Sequence, residues 1–221
     1  MKSILKKVLT ACALFGIAAV SQAQLYIATG STGVTTWFNF TIDPVLNRVT
    51  VDVDNTHAGP GGINGVVTSF GFNLPPTLAG TGSLLSVSGV PSGSWSYFEP
   101  YDLNAGGGVF VQDVGSGSGP NPNGGHPPDS VAFGSSATFV FQYADFSVSD
   151  LSAFLGTDGM TSRWQAIAPG GGSDEGFGNP GPIGGPDLGA VPEPSTYGLI
   201  GAAVLIVGVL GRRASRKSAS L

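Results

Sequence analysis

Hydrophobic and polar side chains alternate with a period of two along much of the middle of this chain. Val34, Thr36, Phe38, Phe40 and Ile42 share one face of an extended segment, and Thr35, Trp37, Asn39 and Thr41 share the other. Val49, Val51 and Val53 alternate in the same way with Arg48, Thr50, Asp52 and Asp54. This alternation predicts strands with one face toward a core and one toward water. Between them, Asp43-Pro44-Val45-Leu46-Asn47 reads as a hairpin loop, since Asp, Pro and Asn supply turn geometry. Further strands are predicted over Val66–Leu74, Leu84–Val90, Ser94–Phe98, Gly108–Val114, Ala137–Tyr143 and Ser162–Ala168. In the fifth of these, ATFVFQY, the residues Phe139, Phe141 and Tyr143 belong on one face. A single helical turn is predicted over Ser149–Leu155, capped by Ser149 or Asp150. About eight short strands separated by Gly, Pro and Asn loops predict an all-β chain, an antiparallel β-sandwich of jelly-roll or immunoglobulin-like type.

At both ends the alternation gives way to continuous apolar runs. Met1 to Ala23 has Lys2, Lys6 and Lys7, then an apolar run from Val8 to Val20, then Ser21-Gln22-Ala23. That is the layout of a signal peptide over 1–23, cleaved by signal peptidase between Ala23 and Gln24. The apolar run falls short of the ~17–25 residues that span a bilayer. Cys12, the single cysteine, follows Leu9-Thr10-Ala11 and so resembles a lipoprotein box, but cleavage there leaves too short an apolar stretch upstream. Removal of the signal leaves a mature chain without thiols or disulfides, held by its core alone.

The other end reads VPEPSTYGLIGAAVLIVGVLGRR from Val191 to Arg213. Ser195 to Gly211 is free of charge and just long enough to cross hydrocarbon. The predicted transmembrane helix comprises Tyr197, Gly198, Leu199, Ile200, Gly201, Ala202, Ala203, Val204, Leu205, Ile206, Val207, Gly208, Val209 and Leu210. It is apolar on all sides, unlike an amphipathic core helix. Arg212, Arg213, Arg216 and Lys217 follow at once and place the carboxyl end in the cytoplasm, the body outside. Pro192 and Pro194 hold the preceding strip extended, and Ser195 or Thr196 can cap the helix. The order Val191-Pro192-Glu193-Pro194-Ser195-Thr196, apolar span, basic tail resembles the PEP-CTERM sorting signal of Gram-negative bacteria. The resemblance covers 191–221. It implies recognition and removal of this tail by an exosortase, an integral-membrane enzyme with a cysteine-type active site, during transfer to the cell surface or exopolysaccharide matrix. About the remainder of the chain it implies nothing.

Composition refines the middle. Gly contributes 36 and Pro 16 of 221 residues, near the composition of disordered chains, yet aromatics at every second position argue for a packed domain. The β-sandwich domain is assigned to 24–168. GSGSGPNPNGGHPP, residues 115–128, reads as a flexible insertion, and residues 169–190 as a Gly/Pro-rich stalk spanning about 25 Å root-mean-square. Part of that stalk, near Asp174 to Phe177, reads alternatively as a last strand. The net charge of −5 conceals a partition. Of nine basic residues only Arg48 and Arg163 lie in the body, against thirteen of fourteen acids, so the body is near −11. Such a surface repels nucleic acid and suits cation contact or plain solubility.

Candidate chemistry is sparse. His57 and His126 sit in Gly/Pro loops, there is no G-x-S-x-G elbow, and the two histidines lack zinc spacing. Glu99 and Glu175 are the only body glutamates, and nothing in the sequence brings them together as a glycosidase pair. Trp95, Tyr97, Phe98 and Tyr101 around Glu99 suit either sugar stacking or a core. Asp52, Asp54 and Asn55 are the candidate metal ligands, hard oxygens suited to calcium beside a flexible loop, although outward carboxylates on a strand are equally served by water. No other cofactor is expected. The sequence therefore predicts an exported, surface-sorted, non-enzymatic protein, structural or adhesive, with signal peptidase, exosortase, the membrane in transit and exopolysaccharide as partners. The rival readings are a carbohydrate-binding module, calcium-dependent or not, and a polysaccharide-active enzyme.

Overall fold

The alternation read from the sequence becomes real strands where one side is apolar and the other wet. The computed structural model describes residues 22–91, 94–103, 110–144, 155 and 159–181. In β2 (Thr35–Asp43) every second residue from Thr36 to Ile42 is buried, and in β3 (Arg48–Asp54) Val49, Val51 and Val53 are fully buried. In β10 (Ser136–Gln142) Phe139 and Phe141 point inward, with Tyr143 buried just beyond. The other strands are β1 (Gln22–Thr29), β4 (Asn64–Phe72), β5 (Ser83–Ser88), β6 (Ser96–Phe98), β7 (Tyr101–Asp102), β8 (Val111–Gln112), β9 (Val114–Gly117), β11 (Met160–Ala168) and β12 (Ser173–Pro180).

Ten of these strands form one sheet in the order β5-β10-β3-β2-β1-β12-β11-β4-β9-β6, every pairing antiparallel. β7 and β8 pair separately as a two-stranded ribbon. The sheet folds onto itself. Phe38 and Phe40 of β2 meet Phe70 and Phe72 of β4 at ring-centroid distances of 5.6 and 5.4 Å, although three strands lie between β2 and β4 in the order. Phe139 and Phe141 of β10 meet the same two rings at 4.9 and 5.2 Å. The edge-to-face arrangements satisfy the quadrupole preference of aromatic pairs and add to the burial itself.

Three sequence expectations change. The assignment of residues 169–190 to a stalk fails over Ser173–Pro180, which is β12, a central strand paired with β1 on one side and β11 on the other. The folded domain thus runs on past 168. Glycine composition disguised this strand: a Cβ on Gly176 would lie 2.1 Å from the Thr29 carbonyl oxygen, and one on Gly178 2.3 Å from the Met160 side chain. Residues 115–128, expected to be a flexible insertion, are instead tied down. β9 is sandwiched between β4 and β6, and Ser118 Oγ reaches the Thr68 carbonyl at 3.1 Å while accepting from the His126 amide at 3.0 Å. Finally, β1 is a strand that alternation did not announce, and the expected cleavage junction Ala23-Gln24 lies inside it, opposite Thr41 and Phe40.

Of the helical turn expected at Ser149–Leu155, only Leu155 is described, helical and buried. The expected signal residues 1–21 and the sorting segment 191–221 lie outside the described residues. Among the described residues no helix is long and apolar enough to cross a membrane.

Candidate functional site

The three candidate metal ligands do not turn toward one point. Asp52, outward on β3, accepts a hydrogen bond from Thr138 Oγ1 of the neighbouring β10 at 2.6 Å. Asp54, also outward, accepts from the Thr56 amide at 3.0 Å and stands 3.7 Å from His57 Nδ1. Asn55 points inward and is wholly buried. Its Nδ2 donates to the carbonyls of Gly65 and Val131, both at 2.9 Å, and its Oδ1 accepts from Thr36 Oγ1 at 3.0 Å. Thr36 in turn accepts from the buried Trp164 indole at 2.8 Å. The Asn55 amide is therefore a bridge within the core, with its donors and acceptor already used. Among the described residues no three His, Cys, Asp or Glu side chains gather as metal ligands would.

The aromatic company of Glu99 is mostly core. Trp95 is buried against Phe70 and Phe139, its indole N–H donating to the Asp129 carbonyl at 2.8 Å. Tyr101 is fully buried under the β7–β8 ribbon, its ring flat over Gly71 and Gly115, where any Cβ would stand 2.2 Å from it. Its hydroxyl donates to Ser69 Oγ at 3.0 Å. Tyr97 packs on the core edge and donates to Glu99 Oε2 at 2.9 Å, while Glu99 Oε1 accepts from the Gly80 amide. Burial pushes the Tyr97, Tyr101 and Tyr143 hydroxyls above their ordinary value, so they stay protonated at neutral pH. Glu175 is engaged elsewhere, by Arg163 at 2.7 Å. Each of the two glutamates is thus bonded to its own neighbours.

One aromatic on an outward strand face was not among the sequence candidates for a site. Trp37 lies on the exterior of β2 and stacks on His57 with centroids 3.7 Å apart and planes 8° from parallel. His126 pairs with Asp129 at 2.8 Å. Among the described residues no serine hydroxyl is bonded to either imidazole, so a nucleophile–base–carboxylate relay of the serine hydrolase kind is not assembled there.

A carboxylate missed by sequence reasoning is Asp174. It is 7% exposed and receives four hydrogen bonds: from Ser31 Oγ at 2.9 Å, the Thr32 amide at 2.7 Å, Thr32 Oγ1 at 2.6 Å and the Glu175 amide at 2.9 Å. Burial by itself pushes its pKa up, but the donors from Thr32, Ser31 and Glu175 together hold it below the ordinary 3.8. The bond set clamps the β1–β2 turn to β12. Because the folded pKa is depressed, this stabilisation is complete above the unfolded value and is lost as pH falls through the folded one. Asp174→Ala should therefore cost about 1–3 kcal/mol at neutral pH. The gap between variant and wild type should close as unfolding is measured at progressively lower pH below 3.8; a gap independent of pH contradicts the clamp.

What remains is a body whose acids hold turns and strands. Asp43 accepts from the Val45 and Leu46 amides within its own turn, as Asp54 does from Thr56, while Asp113 accepts from the distant Leu74 amide at 2.7 Å, tying separate segments together as Asp174 does. The signal that distinguishes this chain is at its end. Comparison with curated proteins and with solved structures gives no match. Comparison with family models matches residues 190–217. The chain carries a PEP-CTERM protein-sorting motif at its carboxyl terminus.

Proposed function

We propose that this chain is an exported protein sorted to the cell surface, with a non-enzymatic, structural or adhesive role in the envelope or exopolysaccharide matrix. The observation that carries the reading is the PEP-CTERM motif over 190–217 at the end of a β-rich body. Signal peptidase acts between Ala23 and Gln24, and cleavage there keeps Gln24–Thr29 in register with β2. Tyr197 to Leu210 then holds the chain in the membrane, with Arg212, Arg213, Arg216 and Lys217 inside. An exosortase reads the extended Val191–Thr196 strip and releases the body. The ring contacts of β2 and β10 with β4 support a two-layered sandwich as the architecture released.

Recognition of an extended strip depends on the prolines that hold it extended. Replacing Pro192, Glu193 and Pro194 together by alanine should lengthen the helix into the strip, accumulate uncut chain in the membrane and deplete the surface. Fractionation and immunoblotting measure this. Unaltered delivery of the triple variant contradicts the reading.

Carbohydrate binding is a second reading favoured by one observation, the outward Trp37 stacked on His57 beside Asp54. A rigid aromatic plane next to hydrogen-bonding groups is suited to a sugar ring. Trp37→Ala should abolish retention on the matrix polysaccharide without lowering the thermal midpoint by more than about 3 °C. Equal retention of variant and wild type removes the site.

A further inference from the structure

The two edges of the ten-stranded sheet are built differently. β6 has only three residues and runs at once into Glu99 and Pro100, three of the devices that keep an edge from pairing with another chain. β5, Ser83-Leu84-Leu85-Ser86-Val87-Ser88, is twice as long and holds neither charge nor proline. Among the described residues it pairs with β10 along one side only. Ser83, Leu85, Ser86 and Ser88 are exposed, and Leu85 is half accessible as the extra residue at a bulge.

We propose that β5 is the edge through which two copies of this chain join, antiparallel about a two-fold axis between Leu85 and Ser86. The strand is self-complementary in that register. Ser83 faces Ser88, Leu84 faces Val87, and Leu85 faces Ser86, with the same pairs repeated by symmetry. The bulge between Ser86 and Leu84 turns both Leu84 and Val87 toward the core, so apolar side chains meet on the inner face and serines at the ends. Charge favours the same place. In a body near −11, no Asp, Glu, Lys or Arg occurs between Asp54 and Glu99 or within β10, so β5 and its paired neighbour bring no charge of their own to the contact, and the exposed Glu99, which accepts from the Gly80 amide, stands beyond the Ser83 end of the strand. The nearest acidic row along the sheet, Asp52 and Asp54 on β3, stands two strand spacings back, on the order of 10 Å and about one Debye length. Elsewhere the acid content opposes self-association. The joined sheet would continue through β5 across the dimer, with main-chain hydrogen bonds supplying affinity. The inference is independent of the sorting reading, since a monomer can be sorted equally well.

The test uses the protein as producing cells accumulate it, carrying Cys12→Ala so that no native thiol remains. Sedimentation should show a concentration-dependent dimer. Leu85→Lys with Ser86→Lys should weaken it by roughly tenfold or more while the melting midpoint is unchanged. Ser83→Cys with Ser88→Cys, directly opposite in the proposed register and too far apart on one extended strand to bridge within a chain, should give a disulfide-linked dimer on oxidation. A wild type that stays monomeric to its solubility limit overturns the proposal, as does a lysine variant that dimerises equally well or a double-cysteine variant that forms no cross-link.

Discussion

Trp164→Ala should lower the stability of the body by about 3–5 kcal/mol, a drop of roughly 6–20 °C in melting midpoint. Trp164 is fully buried on β11 and is the largest of the fully buried side chains among the described residues. Truncation removes its apolar volume and leaves a cavity in a sheet whose strands are pinned on both sides by β4 and β12. It also deprives Thr36 Oγ1 of its donor, the indole N–H at 2.8 Å, at the head of the relay through Asn55 to the Gly65 and Val131 carbonyls. Trp164→Phe keeps most of the volume and removes only the donor, so it should cost about 1–3 kcal/mol. Chemical denaturation followed by circular dichroism separates the two. Equal losses for both variants would mean that the hydrogen bond, and not the packing, dominates; a loss below about 1 kcal/mol for Trp164→Ala would contradict the core assignment.

Asn55→Asp should be as damaging and should carry a pH signature. The substitution exchanges the amide N–H donors for an oxygen that faces two backbone carbonyls at 2.9 Å. Ionised and unpaired in the core, that carboxylate should cost about 3–5 kcal/mol. Both burial and the facing oxygens disfavour the charged form, so its folded pKa is raised above its unfolded value. A group raised in the folded state is tolerated below the unfolded pKa and becomes progressively destabilising as pH rises toward and through the folded one. The variant should therefore approach wild-type stability in acid and fall away toward neutrality, the opposite of the trend set by Asp174. Asn55→Ala, which brings no charge, should lose stability without that dependence. An Asn55→Asp variant whose deficit does not change with pH would mean that residue 55 is wetter than the fold places it.

The legible parts of this fold were those where packing is one-sided. β2, β3 and β10 place apolar residues in and polar residues out, so a period of two sufficed. β1 escaped because it lies between β2 and β12 with Tyr26 and Ala28 inward and Leu25 and Ile27 half covered outside, which erases the alternation. β9 escaped, and β12 was read only as an alternative to a stalk near Asp174 to Phe177, for the reverse reason. Apart from Val114 and Asp174, their buried positions are glycines and a serine, and at Gly115, Gly176 and Gly178 the atoms of Tyr101, Thr29 and Met160 occupy the space of any larger side chain. In sequence such strands resemble linkers.

The same logic explains the candidate site. The alternation that buries Val49, Val51 and Val53 continues one step to Asn55, so parity alone places that amide in the core and not among calcium ligands. Trp37, on the opposite parity, is outward by the same count. The identity of the Asn55 partners was beyond sequence reasoning, because Thr36, Gly65 and Val131 are brought together only by the folding of the sheet. The sorting motif needed no such folding. Its order of proline-bracketed glutamate, apolar run and basic tail is contiguous, and the family match falls on 190–217 as the residues suggested.

Intact-mass spectrometry of the chain recovered from the cell surface tests the central claim most directly. The account predicts a species that begins at Gln24 and lacks Arg212 to Leu221. Surface material that still contains those tail residues would contradict it.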